Sequence, residues 1–576
     1  MGGWFSGDRT ALSLTVCHVR NPPSAMRYLL LPLTVFVLCQ CGSPQPPVCR
    51  SLPFGSRGAV EPVMETARRN WDILADPRKK QEWPAAEAEY NRAVAILFDK
   101  LRCGGGDWEP QASALGTAIS APDKFHENPN DQDAVFPATE VRMRSSERHK
   151  ASQGVGVPAV GWKATSPVGV PRPKFHPPNG QASSLTVTLD FSQAVPRWRF
   201  AKRWITENTD IGANGHRLAA DWSAPIDFFW YMCELDDLRI QNVLIPERFT
   251  EETGLYFLQP YDPRKIPVVM VHGLVSSPDA YRDILNDLSP EPWFRENYQV
   301  WLYNYPTGTP WLYNAMRFRQ IMGEAGDYAR SKGGDRTLEK MVILSHSMGG
   351  LLTRTAVTDP GTKLYDAHFR IPYAKLGPSL SPEGRELIRE GLLYKPLTDP
   401  KRVVFMAVPH KGSPMANFRG TAFLSNLIRL PKTLTIGLLD AAAKSLTDSL
   451  EDNVAAEKVR LPTALSSLSP SSSGFRGLNQ LPLPGGIAFH SIMGDKGHGD
   501  TPESSDGVVP YWSSHIEPVE SELIIPANHT VPNHPDAATE VRRILFLHLE
   551  KEGMLRTGKS GGAQAARQGY EAGGMD

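Results

Sequence analysis

Leu344-Ser345-His346-Ser347-Met348-Gly349-Gly350 follows directly on the apolar run Met341-Val342-Ile343-Leu344 and leads into a segment with helical character. A buried strand that drives into a sharp turn and then a helix can hold a serine in a strained backbone conformation. Small residues on either side let such a turn close and leave the serine Oγ standing clear of the sheet. Here Ser345 takes the leading small position, and Gly349 and Gly350 follow the serine. A serine hydroxyl is a weak nucleophile at its own pKa, so this reading needs a base and an orienting acid elsewhere in the chain. Without them Ser347 reads as a helix-capping serine.

Both partners have candidates downstream. Ser505-Asp506-Gly507-Val508-Val509-Pro510 lies beyond a strand expected over Ile487 to Met493, and Leu523-Ile524-Ile525-Pro526-Ala527-Asn528-His529 reads as a strand that delivers a histidine at its end. Asp506 would fix the imidazole tautomer of His529, and His529 would take the Ser347 proton. Asp495 and Asp500 compete with Asp506, and His534 competes with His529, although it opens the following helix in a His-Pro start. Upstream, Val271-His272-Gly273-Leu274 ends the apolar strand Ile266 to Val271. A glycine there lets the loop backbone approach a substrate oxyanion. The amides of Leu274 and Met348 are the candidate donors, and His272 and Gly273 are assigned to the substrate-binding loop. The plainer reading is a strand-to-loop turn with a satisfied histidine. Because His272 precedes the nucleophile, it is not taken as the base.

Around these segments the texture alternates. Apolar strands at Ile266–Val271, Gln299–Tyr303, Met341–Leu344, Val403–Val408, Ile487–Met493 and Glu522–Ile525 interleave with helical stretches such as Trp311–Ala329 and Ala537–Leu549. Uninterrupted apolar strands between helices predict an α/β fold whose mostly parallel sheet is covered by helices on both faces. An insertion at about 416–485 breaks the alternation with Phe423, Leu424, Leu427, Ile428, Leu434 and Leu446, and it is expected to form a helical cap. Ordinary core burial of those helices is the competing reading.

Residues 63–254 form an N-terminal accessory region of mixed helix and strand. Val63 to Cys103 reads as a helical pair interrupted near Pro84, Leu185–Leu189 as a strand, and the Pro- and Gly-rich stretch Val155 to Gly180 as loop. A Pro-rich linker is expected at 42–62, the strand-helix unit at 255–552, and a disordered tail at 553–576.

These motifs resemble the α/β-hydrolase superfamily, specifically its bacterial lipase and esterase branch, over about Lys265 to Leu549. The resemblance rests on the His272-Gly273-Leu274 loop, the Ser345–Gly350 elbow, the acid loop from Ser505 to His515 and the Ala527-Asn528-His529 base loop. Val408-Pro409-His410-Lys411-Gly412-Ser413 also looks like the pocket-floor stretch of lipases, which makes His410 structural. Ser345 in place of the leading glycine departs from the pattern, as does the long N-terminal region. The resemblance implies a serine carboxylic-ester hydrolase working through an acyl-enzyme on a small-molecule or lipid ester. The same triad permits acyl transfer, and an envelope scaffold without activity is a further alternative.

The 62 Lys+Arg balance 62 Asp+Glu, which gives no sign of a nucleic-acid partner. Six cysteines without a CxxC pair argue against structural zinc, and neither a metal nor a cofactor is expected. Met26-Arg27 followed by the apolar run Tyr28 to Cys39 reads as a signal peptide within an upstream segment 1–41. Leu38-Cys39-Gln40-Cys41 resembles a lipobox, which would tether the protein to a membrane through Cys41. An exported protein of the periplasm or cell envelope is the resulting expectation.

Overall fold

The computed structural model describes residues 45–47, 60–104, 107–143, 148–165, 173–233, 253–414, 467–497 and 504–555. The signal-peptide segment, Cys41, most of the cap insertion, Asp500 and most of the C-terminal tail lie outside them. The chain divides into two compact units, Met1–Gln45 and Pro46–Asp576, and every element below belongs to the second.

Helices α1 (Val60–Ala75) and α2 (Trp83–Arg102) form the expected helical pair, with Pro84 in the first turn of α2. Their apolar stripes, Trp71 and Leu74 with Tyr90, Ala93, Leu97 and Leu101, are buried. Cys103, which caps α2, is disulfide-bonded. Five strands follow: β1 (Ala118–Ile119), β2 (Ala134–Pro137), β3 (Val157–Ala164), β4 (Gly180–Asp190) and β5 (Arg197–Lys202). They form a sheet in the order β1-β5-β4-β3-β2.

Strand β3 corrects the loop expected from Val155 onward. The strand tolerates Pro158 because β2 pairs only with Ala159 to Trp162, so at Pro158 the ladder has a neighbour on one side, the Thr186 side. Period-two alternation sends Val135, Val157, Leu185 and Val187 into a core with α2. Phe136, Val160 and Trp162 point the opposite way, into a core shared with α3 (Ser223–Cys233).

Beyond it lies a mixed seven-stranded sheet. Its elements in chain order are β6 (Gly254–Phe257), β7 (Ile266–Val271), α4 (Arg282–Leu288), β8 (Tyr298–Asn304), α5 (Trp311–Ser331), β9 (Met341–His346), α6 (Met348–Val357), β10 (Pro400–Met406), β11 (Ala488–Gly494), β12 (Ser521–Ile525) and α7 (Pro535–Lys551). The spatial order is β6-β8-β7-β9-β10-β11-β12. Edge strand β6 runs antiparallel to β8, and every other neighbouring pair is parallel. Every residue of β7, β8 and β9 is buried, which is why these strands read as unbroken apolar runs. Val269, Val271, Ile343, Val403 and Phe405 pack with α5 and α6. Val268, Met270, Val342, Leu344 and Val404 pack on the other face with α4 and α7. This second core also takes in Phe136, Trp162 and Phe228 of the accessory region.

Candidate active site

Ser347 occupies the turn between β9 and α6 with φ 52° and ψ −127°, a conformation that is costly for any residue carrying a Cβ. Its neighbours hold it there. The Ser347 amide donates to the Met406 carbonyl of β10 at 2.9 Å, and the Gly350 amide donates to the Ser347 carbonyl at 2.9 Å. A Cβ at Gly349 would stand 2.4 Å from the carbonyl oxygens of both Val271 and His272, so helix α6 can approach β7 only through a glycine. The departure at the leading position has a local cause. Ser345 is fully buried, and its hydroxyl donates to the Val404 carbonyl at 3.3 Å, satisfying the one polar atom it brings.

The structure brings Ser347, His529 and Asp506 together at the carboxyl ends of β9, β11 and β12. His529 Nδ1 donates to Asp506 Oδ2 at 2.6 Å, and the Ser347 hydroxyl donates to His529 Nε2 at 2.8 Å. The other oxygen of Asp506, Oδ1, accepts the amides of Val508 and Val509 at 2.8 and 2.7 Å. With only 2 % of its surface exposed, the carboxylate is shielded and fully hydrogen-bonded, so its orientation is fixed. The rivals serve local structure. Asp495 accepts the Gly497 amide at 2.8 Å in its own turn, and His534 caps α7 by accepting the Asp536 amide at 3.3 Å.

The His272–Leu274 loop abuts the serine. A Cβ built on Gly273 would lie 2.8 Å from the Ser347 Cβ and 3.1 Å from His346 Nδ1. The His272 ring is fully buried and stacks on Tyr305 at 4.4 Å between centroids, while the Tyr305 hydroxyl donates to the His272 carbonyl at 2.7 Å. The next residue, Val275, has φ 53°, an uncommon backbone for a β-branched side chain. Met348 opens α6, so its amide is one of the helix's N–H groups without an intrahelical acceptor. His410 is buried edge-on against Phe405 at 4.6 Å, below the elbow rather than within the relay. Among the described residues no group of three or more His, Cys, Asp or Glu is placed to hold a metal ion.

Sequence reasoning passed over three residues at this site. Tyr305 anchors the His272 loop. Tyr281 donates to the carbonyls of Val271 at 2.8 Å and Leu344 at 3.2 Å, tying the carboxyl ends of β7 and β9 together. His346 donates from Nε2 to the main-chain carbonyl of His529 at 2.8 Å. Tyr281 and Tyr305 belong to no motif, and His346 fills the one elbow position that the motif leaves unspecified.

A search of solved structures returns bacterial lipases and esterases. The mature lipase BlEst2 of Bacillus licheniformis is 15 % identical, with alignment covering 50 % of this chain and 97 % of that one and a TM-score of 0.27. EstA of Clostridium botulinum is 13 % identical over 54 % of this chain and 96 % of that one, with a TM-score of 0.29. The lipase of Staphylococcus hyicus is 14 % identical over 51 % and 96 %, with a TM-score of 0.27. No protein-family model matches the sequence, and no curated protein matches it.

Proposed function

We propose that this protein is an exported serine hydrolase that cleaves carboxylic esters through an acyl-enzyme. The observation that carries the reading is the hydrogen-bonded relay from Ser347 through His529 to Asp506, with contacts of 2.8 and 2.6 Å. In this mechanism Ser347 Oγ attacks the ester carbonyl while His529 Nε2 takes its proton. Asp506 holds the ring and stabilises the imidazolium. The amides of Leu274 and Met348 receive the oxyanion, with Gly273 lining that pocket and the buried His272 ring supporting the loop from behind. His529 then returns the proton to the leaving alcohol, and water, activated by the same imidazole, releases the acid.

Export is supported by the apolar run Tyr28 to Cys39 behind Met26-Arg27, and by a disulfide at Cys103, a bond that persists in oxidising compartments. A lipid tether at Cys41 and a cap formed by the 416–485 insertion complete the proposal, with a lipid or other apolar ester as substrate.

The test is a profile of p-nitrophenyl esters from acetate to palmitate, run with and without an alcohol acceptor. Wild type should hydrolyse at least one chain length, and Ser347→Ala should lower turnover on the order of 10⁴-fold or more. Folded wild-type protein inert toward every ester, or a fully active Ser347→Ala, would overturn the assignment.

A further inference from the structure

We infer that His346 is a positioning residue for the base, holding the main chain of His529 in register with the nucleophile. The inference rests on the triad reading above and adds a residue to it. His346 is the last residue of β9, immediately before Ser347, so it moves with the elbow. Its Nε2 lies 2.8 Å from the carbonyl oxygen of His529. A carbonyl can only accept, which fixes the tautomer: Nε2 carries the hydrogen and Nδ1 carries a lone pair. The two rings sit 5.1 Å apart between centroids, tilted by 45°.

The way the base is held gives this bond its importance. The Asp506 carboxylate fixes the rotation of the His529 ring, but not the position of the chain that bears it. Nearby main-chain contacts are local: Asn528 Oδ1 accepts the Thr530 amide at 2.9 Å, and the Asn533 amide donates to the Thr530 carbonyl at 3.0 Å. Among the described residues no other hydrogen bond ties the His529 main chain to another element. The base loop follows the edge strand β12, where no further strand supports it. A donor fixed to the elbow therefore sets the Nε2-to-Oγ distance, and an error of about 1 Å there is enough to cost about a hundredfold in rate.

A second observation separates this role from plain packing. Nδ1 of His346 is buried and has no hydrogen-bond partner among the described residues, while Gly273 presses against it. An apolar side chain would fill the site without stranding an acceptor, so histidine is the worse choice here unless its donor is used. Burial, and then the neighbouring His529, push the His346 pKa down to about 3, so the ring stays neutral and does not compete as a base.

The test compares His346→Leu, His346→Asn and His346→Gln on the ester that wild type cleaves best, with Ser347→Ala beside them. Gln can place an amide N–H close to the position of Nε2, Asn falls short of the carbonyl, and Leu has no donor. His346→Leu and His346→Asn should lower kcat about 10- to 100-fold with KM little changed, and His346→Gln should stay within about threefold of wild type. If Leu fails to fold, judged by thermal melting, the Asn and Gln pair decides alone. Full kcat in folded His346→Leu or His346→Asn, or equal losses in Gln and Asn, would overturn the inference. An active Ser347→Ala would instead overturn the triad on which it rests.

Discussion

At Gly349 a single hydrogen atom separates the elbow from its supporting strand. The carbonyls that a Cβ would meet at 2.4 Å belong to the backbone of Val271 and His272, which the parallel sheet holds in place. Gly350 is as tight, because its Cβ would meet Val408 Cγ2 at 2.1 Å and Val408 Cβ at 2.9 Å, and rotating that buried valine leaves its Cβ in the way. Gly349→Ala and Gly350→Ala should therefore each destabilise by about 3 kcal/mol. Urea unfolding checks this, and a negligible effect of either would contradict the account of the elbow. The same residues show what a sequence discloses at this scale. Ser347, Asp506 and His529 were readable because each follows a strand of the sheet, Asp506 after a longer loop, in a fixed chain order. His346 was not. The position between Ser345 and Ser347 carries no residue requirement of its own, and its meaning comes from a carbonyl 183 positions away.

Strands β10, β11 and β12 and helix α7 meet in a polar network in which Arg402, His490 and His548 are buried and Glu520 is exposed. Arg402 donates to His548 Nδ1 at 3.2 Å and to Glu520 at 3.1 Å, and it also contacts His490, whose Nδ1 lies 2.7 Å from Ser521 Oγ. Burial, and then Arg402, push the His490 pKa down to about 3. Burial likewise takes His548 to about 4, against the pull of its bond to the Lys340 carbonyl. Burial raises Glu520, but hydrogen bonds from Lys551 and Arg402 outweigh it and hold the carboxyl at about 2.

The sign for the histidines follows from the unfolded chain, where the ordinary histidine pKa is about 6.5. Below that value the unfolded chain binds protons that the native imidazoles refuse, so stability falls as pH drops from about 6.5 toward 3 to 4. Glu520 acts in the same direction lower down, its contribution being present above about 4.3 and lost toward about 2. With His346 included, unfolding free energy should fall by about 4 kcal/mol or more between pH 7 and 5. A flat profile over that range, measured by urea titration, would contradict the burial of these rings. At the scale of elements the sequence disclosed the strands with continuous apolar runs and missed two whose pattern is broken or short. Strand β3 hid behind Pro158 and Gly161, and β6 is a four-residue edge strand opening with Gly254. Sheet order depends on contacts between distant segments, which no local pattern encodes.

Across the whole molecule, the accessory region and the seven-stranded sheet share one apolar core. Phe136, Trp162 and Phe228 pack in the cluster that includes Ile284, Leu285 and Val541, and Arg148 reaches Asp283 at 3.2 Å and the Asn533 carbonyl at 3.0 Å. That carbonyl lies in the turn that follows His529. The sequence could not show this union, because the residues that make it are ordinary core residues within each region. Such a core predicts that residues 60–555 unfold in one calorimetric transition. Phe228→Ala should lower that transition, costing about 3–5 kcal/mol, rather than split it. Two separated transitions in the wild type would mean that the regions are independent. The central claim is that Ser347 is activated by His529 and oriented through Asp506, and the most direct measurement is peptide mapping after reaction with a fluorophosphonate. The account predicts a single adduct on Ser347, formed at least about a thousandfold more slowly in His529→Ala; an adduct on another residue, or labelling indifferent to His529, would contradict it.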